Sequence, residues 1–285
     1  MALRKTDSNS QSNIESGPLA SLYLSMRLGL GERIYGSYES ITRISPKLVL
    51  KCGPEIRHSE ALTMQYIAAK TTIPVPRVHS VFQNRDGRLR ILMDYVAGDE
   101  LEKVWDQMTP DQQHDVVRQL RGFLAQLRAL PPPHPGAVEA VDGTACKDFH
   151  IRPNSTGFGP FPSVTEYQEF LGYRSLMTTH RGQFPQHEAS LRLCEQRAAA
   201  GAYRTVFTHC DLAPRNIIVR GSTIVAVLDW EMAAWMPEYW EYTTAAFTNS
   251  SIPTFWDMMK EHGFPEQYPA EFDVECCMSA LCTRY

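Results

Sequence analysis

The chain has 285 residues, 43% of them apolar and 21% charged, an ordinary globular composition that at roughly 150 residues per domain predicts about two domains or lobes. With 28 Lys and Arg against 32 Asp and Glu the net charge is −4, which argues against nucleic acid as a main partner, and no apolar run approaches the roughly 20 residues of a membrane span. Seven cysteines, an odd number without Cys-x-x-Cys spacing, argue against a secreted disulfide framework. With no apolar secretory core at the amino terminus, they predict a cytoplasmic protein.

Residues 1–18 are rich in Ser, Asn and charge and predict a disordered tail. Leu19, Leu22, Tyr23, Met26 and Leu30 then recur at helical spacing, and Gly29, Gly31 and Gly36 are expected to break that helix. Strands are predicted over 40–44 and 48–51, a helix over 55–71 ended by Pro74 and Pro76, and a hairpin of 78–82 with 89–96 around Asp86-Gly87. Residues 19–98 thus read as a small sheet carrying one helix.

Residues 99–285 read as mainly helical. Thr109-Pro110-Asp111-Gln112 has the form of a capping box with Pro at the first helical position. Residues 131–162 hold 7 prolines and 4 glycines and predict a long irregular segment, either a functional lid or a wrap. Ser163 to Glu166 forms a second capping box, opening a helix to about Thr179. A hairpin of 217–219 with 224–228 follows, then helices over 238–247, 253–262 and 270–282. Cys276, Cys277 and Cys282 share the last helix and read as reduced thiols rather than a metal site.

The strongest chemical signal is His209-Cys210-Asp211-Leu212-Ala213-Pro214-Arg215-Asn216, running into that hairpin, whose far end is Asp229-Trp230-Glu231. A hairpin returns its ends to the same side, so these polar groups converge. Asn and Asp oxygens are hard ligands suited to Mg²⁺. The order His-x-Asp-x-x-x-x-Asn followed by a second Asp is the grammar of phosphoryl transfer, one residue facing a substrate hydroxyl and others facing metal. A polar turn before a hairpin would carry some of these residues without catalysis; the spacing, the strand context and the second Asp argue together against that. Such chemistry also needs a cation on nucleotide phosphates steadied by a helix carboxylate. Lys51 ends an apolar strand, and Glu60 lies in the following helix.

On these residues the chain resembles the aminoglycoside phosphotransferase family, related to choline kinases and protein kinases, and especially its fungal branch. The resemblance runs from about Gly31 to Phe247 and rests on LVLKCG (48–53), IPVPRV (73–78), ILMDYVAG (91–98), FTHCDLAPRNIIV (207–219) and VLDWEMAAWMPEYWE (227–241). It implies an α+β, bilobal protein-kinase-like fold. A small antiparallel-sheet lobe with one helix (19–98) would bind nucleotide. A larger, mainly helical lobe (99–285) would carry the catalytic loop, the metal ligands and the acceptor site. It implies ATP and Mg²⁺ as cofactors, with Asp211 as base, His209 supporting the loop, and Asn216 and Asp229 on the metal. Lys51 would bind phosphates, steadied by Glu60. Met93 to Val96, with Asp94, Tyr95 and Val96, would form the hinge against adenine, and Gly36 with Ser37 the turn over the phosphates. Three positions depart from the family pattern: Cys210 replaces a usual Gly, Ala213 stands where many fungal members have His, and residues 31–37 are not Gly-x-Gly-x-x-Gly.

The implied activity is phosphorylation of a hydroxyl on a small molecule, such as an amino sugar, an amine or a secondary metabolite. Glu231, Glu238, Glu241, Asp257 and Glu261 lie among Trp230, Trp235, Tyr239, Trp240 and Trp256, and carboxylates beside aromatics suit a cationic acceptor. Taken singly, each of these residues reads better as core or as a solvated helix face. A non-catalytic nucleotide-binding module is the alternative. A protein Ser/Thr kinase is disfavoured, because no Asp-Phe-Gly and Ala-Pro-Glu bracket an activation loop.

Overall fold

The computed structural model describes residues 14–15, 18–38, 40–84, 86–149, 151, 157–248 and 252–282. The expected tail lies outside them except for Ile14–Glu15 (β1) and Pro18, as do 150 and 152–156 of the Pro-rich segment. The fold mixes helices with mainly antiparallel sheets.

The first part is built on one sheet. After α1 (Pro18–Tyr35) come β2 (Ser37–Tyr38), β3 (Ile41–Ser45), β4 (Leu48–Cys52), α2 (His58–Lys70), β5 (Val78–Gln83) and β6 (Leu89–Asp94). The sheet order is β1-β5-β6-β4-β3-β2, with Lys51 of β4 opposite Ile91 of β6 and Ile41 of β3. Leu50 and Ile91 are wholly buried, as are Ala61 and Ile67 of α2. Ile91 shares its core with those α2 residues, whereas Leu50 is buried with Ile44 in a second cluster, so α2 packs on the Ile91 side of the sheet.

Contrary to the expected break, α1 runs through Gly29 and Gly31 and ends only at Gly36, whose φ is +76°. Gly31 lies against β3 so closely that a Cβ there would meet the Arg43 carbonyl oxygen, so this glycine packs a helix rather than ending one.

Beyond the sheet, β7 (Asp99–Glu100), α3 (Leu101–Val104) and α4 (Pro110–Ala129) follow. Thr109 Oγ1 accepts from Gln112 N at 3.3 Å and Gln112 Oε1 from Thr109 N at 2.9 Å, completing the predicted capping box. β8 (Glu139–Ala140) interrupts the Pro-rich segment. α5 (Val164–Phe170) starts at the Ser163 cap, but Gly172, at φ +86°, breaks the long helix expected there. α6 (Tyr173–Ser175) and a π-helical turn (Leu176–His180) continue irregularly, and α7 (Glu188–Ala199) was not expected.

Then come β9 (Thr205–Thr208), β10 (Ile217–Arg220), β11 (Thr223–Val227), β12 (Ala234–Pro237), α8 (Trp240–Thr248), α9 (Pro253–Met258) and α10 (Pro269–Cys282). The hairpin β10–β11 is extended by β7, and β12 pairs antiparallel with β9 and β8. Cys276 and Cys277 are free thiols on α10, and the described residues contain no cluster of three or more His, Cys, Asp or Glu arranged for a metal. Among the described residues no helix is long and apolar enough to cross a membrane.

Candidate active site

The return of β12 alongside β9 explains why the polar residues converge. The chain leaves β9 at Thr208, makes the 209–216 loop and the hairpin, and comes back with Ala234 opposite Thr208. His209 and Asp229 therefore meet at one end. His209 is fully buried and Trp230 packs on its ring, with centroids 4.6 Å apart. Its Nε2 lies 2.8 Å from the Leu228 carbonyl, and its Nδ1 accepts the Asp211 N–H at 3.3 Å. Burial lowers its pKa, and these partners fit the neutral tautomer with Nε2 protonated. His209 thus ties the loop to the hairpin.

Cys210 takes a left-handed φ of +67°, where the Cβ costs energy. Two contacts hold it there. Its Sγ lies 3.0 Å from Thr208 Oγ1, and Glu241 Oε2, from the first turn of α8, accepts the His209 N–H at 2.5 Å and the Cys210 N–H at 3.4 Å. Glu241 is buried, and its Oε1 has no hydrogen-bond partner among the described residues. Burial pushes its carboxyl up to about 7 against the pull of the two N–H groups.

The loop then presents Asp211. Its Oδ1 and Oδ2 take Arg215 Nη2 at 2.5 and 2.7 Å, and Oδ2 takes Asn216 Nδ2 at 2.8 Å. Because Asn216 Nδ2 also donates to the Asp211 carbonyl at 2.9 Å, both amide protons are used, and its Oδ1 remains as an acceptor. The short 3₁₀ turn Pro214–Asn216 brings these residues round to the aspartate.

A second cluster joins the sheet to the hairpin. Lys51 Nζ lies 2.8 Å from Glu60 Oε1, 2.9 Å from Asp229 Oδ1 and 3.5 Å from Glu231 Oε2. Burial alone would lower the Lys51 ammonium, but the three carboxylates reverse this and hold it above its ordinary value. Burial raises Glu60 to about 7 despite the ammonium against it. Asp229, at φ +61°, is the most open of these groups, 37% exposed. The structure therefore brings Lys51, Glu60 and Asp229 into contact, and His209, Asp211 and Asn216 around one loop.

The other expected residues lie apart from these clusters. Gly36 N–H bonds Glu32 O, and Ser37 pairs with Thr42 in β2. Asp94 Oδ1 meets His79 Nε2 at 2.6 Å, and the Tyr95 ring lies under the Arg43 guanidinium at 3.7 Å. The Asp94 and Tyr95 N–H groups are taken by the carbonyls of Arg77 and Lys47.

The acidic and aromatic residues do not form one acceptor pocket. Trp230, Trp235 and Trp240 are buried in the core. Glu238 pairs with Arg204, Asp257 and Glu261 pair at the surface with Lys260 and His262, Glu241 holds the loop and Glu231 faces Lys51. Lys147, Arg215 and the true partners of Glu231 and Glu241 were missed; only Arg215, four residues after Asp211, had a local signal.

The donor set fits Mg²⁺ with nucleotide: Asn216 Oδ1 and the Asp229 carboxylate are hard oxygens, and Mg²⁺ commonly takes one or two protein oxygens with phosphates and water completing its shell. Solved structures share the fold at low identity. The GDP and kanamycin complex of APH(2")-IIia has a TM-score of 0.57 at 12% identity, covering 90% of this chain and 88% of that one. The GDP complex of aminoglycoside 2'-phosphotransferase-IIIa gives 0.50 at 14%, covering 93% and 92%. A thermostable mutant of APH(4)-Ia with ADP and hygromycin B gives 0.51 at 13%, covering 86% and 78%. No curated protein matches. The model of the phosphotransferase enzyme family (APH) matches residues 54–271, a span that holds Glu60, the 209–216 loop and Asp229; the chain belongs to that family, as a small-molecule kinase.

Proposed function

We propose that the protein transfers the terminal phosphate of ATP, with Mg²⁺, to a hydroxyl of a small molecule, and that its sheet and helical parts act as two lobes of one unit, 19–98 and 99–285. The observation that carries this reading is the contact of Lys51 with both Glu60 and Asp229, which joins a cation on the sheet to the hairpin behind the catalytic loop. Asp211 orients the acceptor hydroxyl and accepts its proton, with its carboxylate fixed by Arg215 and Asn216. Asn216 Oδ1 and Asp229 hold Mg²⁺, which supplies charge neutralisation on the phosphates. Lys51 would bind phosphate oxygens, kept in place by Glu60. Gly36 and Ser37 are proposed beside the phosphates. Met93 to Val96 is proposed as the hinge; since the Asp94 and Tyr95 N–H groups are occupied, the donor to adenine is Val96.

Several features favour this reading over its alternatives. The loop keeps its hydrogen bonds despite Cys210, which supports catalysis over mere nucleotide binding. After Asp229 the chain enters a short turn (Trp230–Met232) and β12 directly, which leaves no activation loop of the protein-kinase kind. The Asp-Trp-Glu to Tyr-Trp-Glu stretch supports the fungal branch. The free thiols among the described residues suit a reducing cytoplasmic setting. Fold neighbours bound to kanamycin or hygromycin B make amine-bearing polyols the first acceptors to test.

Mg²⁺–ATP with amino sugars, choline-like amines and hydroxylated metabolites should give ADP only when a productive acceptor is present. Asp211→Asn should lower that rate by roughly 10²–10⁴-fold, the usual share of a general base. Equal turnover by the wild type and the variant would refute the role of Asp211. Nucleotide binding without turnover across the panel would favour the non-catalytic module.

A further inference from the structure

The Pro-rich segment between α4 and α5 enters the charged centre. Lys147 is 4% exposed, and its Nζ lies 3.1 Å from Glu231 Oε2, the oxygen that also lies 3.5 Å from Lys51 Nζ. Two buried ammonium groups, one from the sheet and one from the segment, thus share one carboxylate oxygen. The segment is strapped in place on both sides. Arg57 Nη1 donates to the Ala145 carbonyl at 3.0 Å, and the Phe149 N–H meets Met232 Sδ at 3.3 Å. Lys147 Nζ also lies 3.5 Å from the Glu55 carbonyl.

Charge decides what this second lysine can do. Lys51 and Lys147 face Glu60, Asp229 and Glu231, so the fully ionised cluster carries one excess negative charge before any nucleotide arrives. Mg²⁺–ATP is itself an anion, and a buried anion needs cations within contact distance. The other nearby cations are committed: Arg215 to Asp211, and Arg57 to backbone carbonyls. Lys51 approaches from the sheet, while Lys147 approaches past Glu231 from the side of the segment.

Resting on the nucleotide reading above, we propose that Lys147 is a second phosphate-binding cation that leaves Glu231 to contact the terminal phosphate of ATP. Glu231 serves as its counter-ion when no nucleotide is bound. The described stretch 145–149 of the Pro-rich segment is then part of the active site, and its lysine distinguishes a triphosphate from the diphosphate product.

Calorimetric titration of the full chain with Mg²⁺–ADP and with a non-hydrolysable Mg²⁺–ATP analogue tests this directly. Lys147→Gln should weaken the analogue at least tenfold and ADP less than twofold. Lys147→Arg, which keeps the charge on a head of different shape, should lose less analogue affinity than Lys147→Gln. Glu231→Gln, which removes the competing counter-ion, should leave analogue affinity unchanged or raised. Equal weakening of both nucleotides by Lys147→Gln, or of neither, overturns the proposal in favour of a purely structural strap. If Lys147→Gln fails to fold, Glu231→Gln decides: selective loss of the analogue overturns the proposal, and retention or gain supports it. Failure of the wild type to bind either nucleotide overturns the kinase reading itself, and this inference with it.

Discussion

Glu241 shows how much one buried side chain can carry. It alone receives the N–H groups of His209 and Cys210, the turn that aims Asp211. Glu241→Ala would leave two buried donors without an acceptor, at about 1–3 kcal/mol each. Glu241→Gln keeps a carbonyl oxygen in place. The carboxyl is raised to about 7 from 4.5, so between those pH values the folded protein keeps a proton that the unfolded chain has released. Stability from this group is complete below about pH 4.5 and is lost as pH rises through 7, by on the order of 3 kcal/mol. Glu60, also raised to about 7, adds to the same slope. Urea unfolding at pH 5 and pH 8 should therefore show Glu241→Ala markedly destabilised at both, and Glu241→Gln with a smaller difference between them than wild type. An unchanged slope in Glu241→Gln would show that the proton sits elsewhere. None of this is visible in sequence, because Glu241 lies 31 residues beyond Cys210 and its nearest chain neighbours are aromatic. The contact of Asp211 with Asn216 arises within one short loop, five residues apart in the chain, and so leaves a local signal in the sequence.

Elements were legible where local chemistry acts alone. The Thr109 box, the β10–β11 hairpin and the Lys51 strand formed as spacing and capping predict. α1 departs from the expected break for a tertiary reason: Gly31 serves close packing on Arg43, and Met26 and Leu30, which recur at helical spacing, are 69% and 51% exposed. Gly98 shows the same logic at the junction between sheet and helices. A Cβ there would come within 2.6 Å of Ile218 Cγ2 and 2.7 Å of the Val219 carbonyl oxygen, on the hairpin strand that pairs with β7. Gly98→Ala must push the junction off β10, which costs about 1–3 kcal/mol as overpacking. It should lower the melting temperature by several degrees and weaken nucleotide binding, since the proposed hinge and the Asp229 hairpin would separate. A variant melting with wild type would mean that the junction absorbs the methyl without strain.

At the scale of the whole molecule the question is whether the sheet part and the helical part are two folding units. The buried apolar side chains answer it by contact. One continuous core runs from Val49 and Ile91 of the sheet and Met64 of α2 through Trp105 and Leu120 to Phe255, Val274 and Met278. Polar contacts cross the same boundary: Val227 N–H bonds the Pro74 carbonyl, and Thr72 N–H bonds Gln126 Oε1. The buried Lys51 ammonium pairs with Glu60 on its own side and with Asp229 and Glu231 from the other part of the chain. The length of the chain suggested two units, but the contacts join them into one. Heating should therefore give a single calorimetric transition, with the van't Hoff and calorimetric enthalpies agreeing. Mg²⁺–ATP at 100 times its dissociation constant should raise the stability of that one transition by about 2.7 kcal/mol. Separate expression of 1–98 and 99–285 should yield neither a folded fragment nor nucleotide binding. Two resolved transitions, with nucleotide moving only the first, would show instead that the sheet folds and binds on its own.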